Sequence, residues 1–131
     1  MKYLEIKLWR FRLLFVKNKK IDFIVSDRYQ YIVSKDILEF LEGNAINTHP
    51  SLLPLQRGYH PNFFSIYRNT KKGVTIHYMD EGLDTGNIVY QKTFENPDYS
   101  FVDEVFDAHI RSETLIDVLK KELLSMEKLK L

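Results

Sequence analysis

Three short segments restrict the fold of this chain more than anything else in it. Ile21 to Ser26 (I-D-F-I-V-S) is a short, mostly apolar run, the pattern of a strand covered on both faces of a parallel sheet. Lys35 to Glu42 reads as a helix with Ile37, Phe40 and Leu41 on one face, capped by Ser34 and stopped by Gly43. Ala45 to His49 is another short strand. Strand, helix and strand within about thirty residues predict a right-handed parallel crossover and an α/β fold.

Downstream, Pro61 opens a helix through about Arg68. Gly73 to Met79 (G-V-T-I-H-Y-M) alternates, with Val74, Ile76 and Tyr78 facing one way. Asn87 to Phe94 reads as its partner strand, joined through M-D-E-G-L-D-T-G, so the sheet is expected to be mixed. Ser100 with Asp103 caps a final helix over residues 100–128, in which Val102, Val105, Phe106, His109 and Ile110 form a stripe. No repeat or linker divides the chain, and 131 residues suit a single domain over 1–131.

Charge is uneven. Residues 1–20 carry Lys2, Lys7, Arg10, Arg12, Lys17, Lys19 and Lys20 against Glu5 alone. They read as a basic helix with a solvated face, its other side (Leu4, Leu8, Phe11, Phe15) packing on a core. Contact with a membrane surface or phosphate is the competing use. The net charge of only +1 argues against nucleic acid as the main partner. The absence of cysteine excludes disulfides and Cys-ligated metal centres and fits a reducing compartment. No apolar run approaches the roughly 20 residues of a membrane span, and the expected location is the cytoplasm.

The chemistry-bearing residues fall in two clusters. Asn47 and His49 stand two apart at the carboxyl end of a strand, so they share a face where open α/β sheets place ligands. Pro50 ends the strand. An amide and an imidazole there are able to donate to an oxygen acquiring negative charge, although chance polar residues at a strand end fit the same pattern. Asp80 to Gly86 (D-E-G-L-D-T-G) has two glycines and three carboxylates. Alone it describes a solvated turn; beside His49, its carboxylate would hold the ring protonated. His49, His60, His77 and Asp84 are alternative metal ligands, but no ligand spacing joins them, and no metal is expected. His77 and His109 read as packing residues with satisfied ring nitrogens. Ser51 lacks the glycine pattern of a nucleophile elbow.

N-x-H-x-S-L-L-P-x-x-R-G followed by G-V-T-I-H-x-M-D-E-G-L-D-T-G resembles the 10-formyltetrahydrofolate-dependent formyltransferases, from about Ile21 to Phe94. The resemblance implies a Rossmann-like domain with catalytic residues Asn47, His49 and Asp84. An amine attacks the formyl carbon, protonated His49 and the Asn47 amide stabilise the oxyanion, and Asp84 keeps His49 charged. It also implies folate contacts along Tyr31, Ile32 and Val33 and at Asp80, with 10-formyltetrahydrofolate as cosubstrate. Arg57, Gly58, Tyr59 and His60 would then meet the substrate.

The segment R-G-Y-H-P-N-F-F-S is most similar to nucleotide-sugar N-formyltransferases. The implied substrate is a nucleotide-linked amino sugar, dTDP-linked, feeding a surface glycan such as O-antigen. Methionyl-tRNA and glycinamide ribonucleotide enzymes are the alternatives; a nearly balanced helix after Phe94, in place of a basic domain, argues against tRNA. The family begins with a strand–helix–strand half and a glycine turn, whereas the residues before Ile21 contain no glycine. The expectation is therefore a truncated domain, its core over 21–94, with an exposed edge at the Ile21 strand. A homodimer or a complementing N-terminal chain would cover that edge. A truncated, non-catalytic module binding folate or nucleotide sugar is the competing reading.

Overall fold

The computed structural model describes residues 3–4, 12–27, 29–94, 117 and 120. The elements run β1 (Tyr3–Leu4), α1 (Leu13–Asn18), β2 (Phe23–Asp27), α2 (Lys35–Phe40), β3 (Ala45–His49), α3 (Pro61–Tyr67), β4 (Lys72–Tyr78) and β5 (Ile88–Phe94). They build a mixed α/β sheet of order β1-β2-β3-β4-β5. β1, β2 and β3 are parallel, while β4 and β5 are antiparallel to their neighbours. The parallel β2–α2–β3 unit matches the pattern of its three segments. Of the expected helix over 100–128, only Asp117 and Lys120 are described, both helical; Ser100, Val102, Asp103, Val105, Phe106, His109 and Ile110 lie outside the described residues.

The opening segment departs from the single basic helix expected of it. Leu4 belongs to a strand, pairing with Ile24 of β2, and Tyr3 pairs with Phe23. Leu8 and Phe11 lie outside the described residues, Phe15 is 39% exposed, and Val16 is the buried residue of α1. A short strand–helix–strand unit thus precedes β3 on this side too, and the edge of β2 expected to be open is covered at Phe23 and Ile24.

Helix ends follow one device. The N–H of Ile21 reaches Val16 O, that of Gly43 reaches Leu38 O, and that of Thr70 reaches Ser65 O. These satisfy orphan carbonyls in the Schellman manner. The left-handed position before each is held by Lys20 (φ 53°), Glu42 (φ 52°) and Asn69 (φ 49°). Glu42 therefore takes the stop position of α2 assigned to Gly43, which follows it with φ 80°. Ser34 occupies the N-cap with extended backbone but makes no capping hydrogen bond.

Two apolar clusters sit on opposite sides of the sheet. Val16, Ile21, Ile24, Val33, Ile37, Leu38, Leu41 and Ala45 form one; Ile46 and Ile76, with Phe23, Val25, Val89 and Tyr90 packed against them, form the other. Each fully buried Val, Leu or Ile among them contributes about 1.5–3 kcal/mol on burial. β4 is buried on both faces from Gly73 to His77. Val74 and Ile76 are buried as their alternation predicts, but Tyr78 is 39% exposed. Among the described residues no helix is long and apolar enough to cross a membrane.

Candidate active site

Strand register builds the site. Ala45 packs in the α2 cluster and Ile46 in the opposite one, so Asn47 and His49 share Ala45's side of the sheet. The antiparallel pairing sets Asn47 opposite His77 and His49 opposite Thr75. A bulge follows: Ile76 pairs with Tyr90 but His77 with Ile88, leaving Val89 as the extra residue beside His77.

The β4–β5 loop brings Asp84 onto this face. Asp84 is left-handed (φ 53°), a conformation that Asp tolerates better than most residues. Its Oδ2 accepts from the Gly58 amide at 3.1 Å and lies 3.3 Å from His49 Nδ1. Its Oδ1 accepts from Asn47 Nδ2 at 3.3 Å and lies 3.5 Å from His77 Nε2. The side chains of Asp84, His49 and His77 are 9%, 6% and 3% exposed. Burial alone would raise the Asp84 carboxyl; the His77 hydrogen bond, the charge of His49 and the Gly58 amide together outweigh it and hold the group below the usual carboxylate value.

The outer ring nitrogens are also engaged. His77 Nδ1 donates to Tyr78 O at 2.8 Å, leaving Nε2 toward Asn47 Nδ2 at 3.3 Å and toward Asp84. His49 Nε2 donates to Gln56 O at 2.9 Å. His49 was expected to stand at the strand's mouth; it is 5% exposed with both nitrogens facing acceptors. The loop after Pro50 closes over that end of the strand. Ser51 Oγ donates to Leu55 O, and Thr75 Oγ1 donates to Ser51 O while accepting from Leu53 N and Gln91 Nε2. The Leu53–Pro54 peptide is cis.

Asn47, His49 and Asp84 therefore converge. Gly58 needs its lack of side chain, since its φ is 87° and its amide holds Asp84. Gly86 allows a close approach, because a Cβ there would lie 1.8 Å from Tyr78 O. Asp80 is exposed, and its Oδ1 accepts from Gly82 N and Thr85 Oγ1, fastening the loop that carries Asp84. Val33 is buried in the core while Tyr31 and Ile32 are 47% and 63% exposed. Arg57, Tyr59 and His60 are exposed and make no part of the cluster. Among the described residues no group of three or more metal-type side chains is arranged to hold an ion.

His77, expected as a packing residue with satisfied ring nitrogens, has Nδ1 on the Tyr78 carbonyl, while its Nε2 faces the Asn47 amide and the Asp84 carboxylate. The signal for it was the alternation that put Val74 and Ile76 on one face and so His77 on the other. Gln56 gave no signal, because its contact with His49 is made by its backbone carbonyl.

Residues 15–104 match the formyl transferase family. A methionyl-tRNA formyltransferase of Clostridioides difficile (strain 630) is 38% identical over 108 residues, covering 80% of this chain and 35% of that protein. A phosphoribosylglycinamide formyltransferase from Bacillus halodurans has a TM-score of 0.65 at 39% identity, covering 76% of this chain and 52% of its own. The formyltransferase PseJ from Anoxybacillus kamchatkensis, solved with UDP-4,6-dideoxy-4-formamido-L-AltNAc and tetrahydrofolate, has a TM-score of 0.62 at 34% identity, covering 96% of this chain and 62% of its own. The chain spans about a third of that curated relative's length. With these matches and the convergence of the motif residues, the chain belongs to the formyltransferase family.

Proposed function

We propose that the chain transfers a formyl group from 10-formyltetrahydrofolate to the amine of a nucleotide-linked amino sugar, using Asn47, His49 and Asp84. The observation that carries this reading is one carboxylate within 3.3 Å of both the Asn47 amide and the His49 ring. As the amine attacks the formyl carbon, negative charge grows on the formyl oxygen, and N–H donors aimed there lower the barrier. His49 offers its Nε2–H, which that oxygen takes from, or shares with, Gln56 O. Asn47 contributes its amide. Asp84 keeps His49 charged and passes the amine's proton on through water to the folate's N10 as the formyl–N10 bond breaks and tetrahydrofolate leaves. Val33, anchored in the core, holds Tyr31 and Ile32 exposed beyond β2, a segment suited to the flat ring of the folate. Asp80 supports the loop beside it, and Arg57 to His60 face the sugar nucleotide.

Two observations favour a sugar: the R-G-Y-H-P-N-F-F-S segment and the likeness to PseJ over 96% of this chain. The likeness to methionyl-tRNA formyltransferases favours a second reading in which methionyl-tRNA accepts the formyl group. The test is formyl transfer from 10-formyltetrahydrofolate to dTDP- and UDP-linked amino sugars, glycinamide ribonucleotide and methionyl-tRNA. Transfer to a nucleotide sugar, falling by about 100-fold or more in His49→Ala, is expected. Transfer to methionyl-tRNA alone supports the second reading, and folded chain with no transfer to any acceptor rejects both.

A further inference from the structure

We propose that Gln56 is a positioning residue for His49: its backbone carbonyl, aimed by a left-handed backbone and an amide tether to Thr70, keeps the imidazole doubly protonated in the resting site. This deepens the role given to His49 above, and its test reads protonation without turnover.

The contact is short and buried. Gln56 O lies 2.9 Å from His49 Nε2 in a buried setting. That direction depends on φ 48° at Gln56, a region uncommon for residues other than glycine. Something must hold the loop there. The side chain, 7% exposed, donates from Nε2 to Thr70 Oγ1 at 3.0 Å. Thr70 is itself fixed to the end of α3, its N–H reaching Ser65 O at 2.9 Å. Among the described residues Gln56 Oε1 is buried without a partner, a costly arrangement that the tether has to offset.

The chemistry follows from what each neighbour is able to do. A carbonyl and a carboxylate only accept. Neutral His49 with Nδ1–H sets a lone pair on Nε2 against Gln56 O; the other tautomer sets one on Nδ1 against Asp84 Oδ2. Only the imidazolium donates to both. The groups facing the ring include Asp84 from the β4–β5 loop, His77 of β4 through the same carboxylate, and Gln56 from the loop after β3. Asp27 of β2 is bonded to Thr48, which alternation places on the other side of β3. With Gln56 O displaced, the Nε2 proton is lost more readily while Nδ1–H stays on Asp84.

The experiment is a pH titration of the histidine ring nitrogens by 1H–15N correlation NMR on the full chain. Thr70→Val and Gln56→Ala are each expected to lower the His49 midpoint by at least about half a pH unit, roughly threefold in the protonation constant. Thr70→Ser, which keeps the hydroxyl, restores it. An unmoved midpoint in both variants, with folding verified by circular dichroism, overturns the proposal. So does a lower melting temperature with no midpoint shift, the mark of a merely structural role. A shifted midpoint in a chain that transfers no formyl group supports this inference while rejecting the proposed function.

Discussion

The two ends of β3 face the same side of the sheet and are held by different physics. At Ala45 the strand meets Ile37, Leu38 and Leu41, and cohesion comes from apolar area. Two and four residues further, Asn47 and His49 meet His77, Asp84 and Gln56, and cohesion comes from directed hydrogen bonds between groups that are nearly all buried. Area is non-directional, so the first end tolerates changes that keep volume. A buried polar set is satisfied only as a whole, since one missing partner strands the others. The first end sets stability; the second gives up that tolerance for defined donor directions.

The contrast is broken most severely by a cavity in the apolar end. Ile37 is 1% exposed, and Ile37→Ala should cost about 2–5 kcal/mol of stability in urea unfolding. Next in size, Asn47→Leu keeps the branched shape of the side chain but strips the polar end of its amide. It should lower formyl transfer by about 100-fold, whereas the apolar counterpart Leu38→Met should cost less than about 1.5 kcal/mol and leave the rate alone.

A smaller effect separates the ends by pH. The Asp84 carboxyl sits below its ordinary 3.8 in the folded chain. Its contribution to stability is therefore present above 3.8 and lost as pH falls from there through the folded value. Urea midpoints followed downward from about pH 5 should fall more steeply in the native chain than in Asp84→Asn. The smallest effect belongs to the exposed pair between Lys35 Nζ and Glu81 Oε1 at 2.8 Å, which ties α2 to the Asp84 loop in solvent. Lys35→Ala should leave the melting temperature unchanged within error.

Much of this was legible before any coordinates, and the rest was hidden for definite reasons. The β2–α2–β3 unit showed because its strands are apolar runs and its helix presents Ile37 and Leu41 at helical spacing. β1 is two residues long, too short for any period to register, so Leu4 was drawn into a helical stripe instead. The Asp84 segment is locally the turn it looked like, with Asp80 fastening it. What carries Asp84 onto β3 is the Gly58 amide, a residue 26 positions away, and no local pattern reports that. The motif resemblance supplied Asn47, His49 and Asp84 together. It did not supply His77, whose place depends on antiparallel register, nor Gln56, whose contact with His49 is made by a backbone carbonyl common to every residue type.

The most direct test of the central claim is a double-mutant cycle in formyl-transfer rate with His49→Ala and Asp84→Asn. If the carboxylate works by charging and aiming the ring and its amide neighbour, the losses are strongly non-additive. The double variant should then fall no more than about tenfold below the worse single variant. Losses that multiply in full would mean the two side chains act separately, and the account of this site would be wrong.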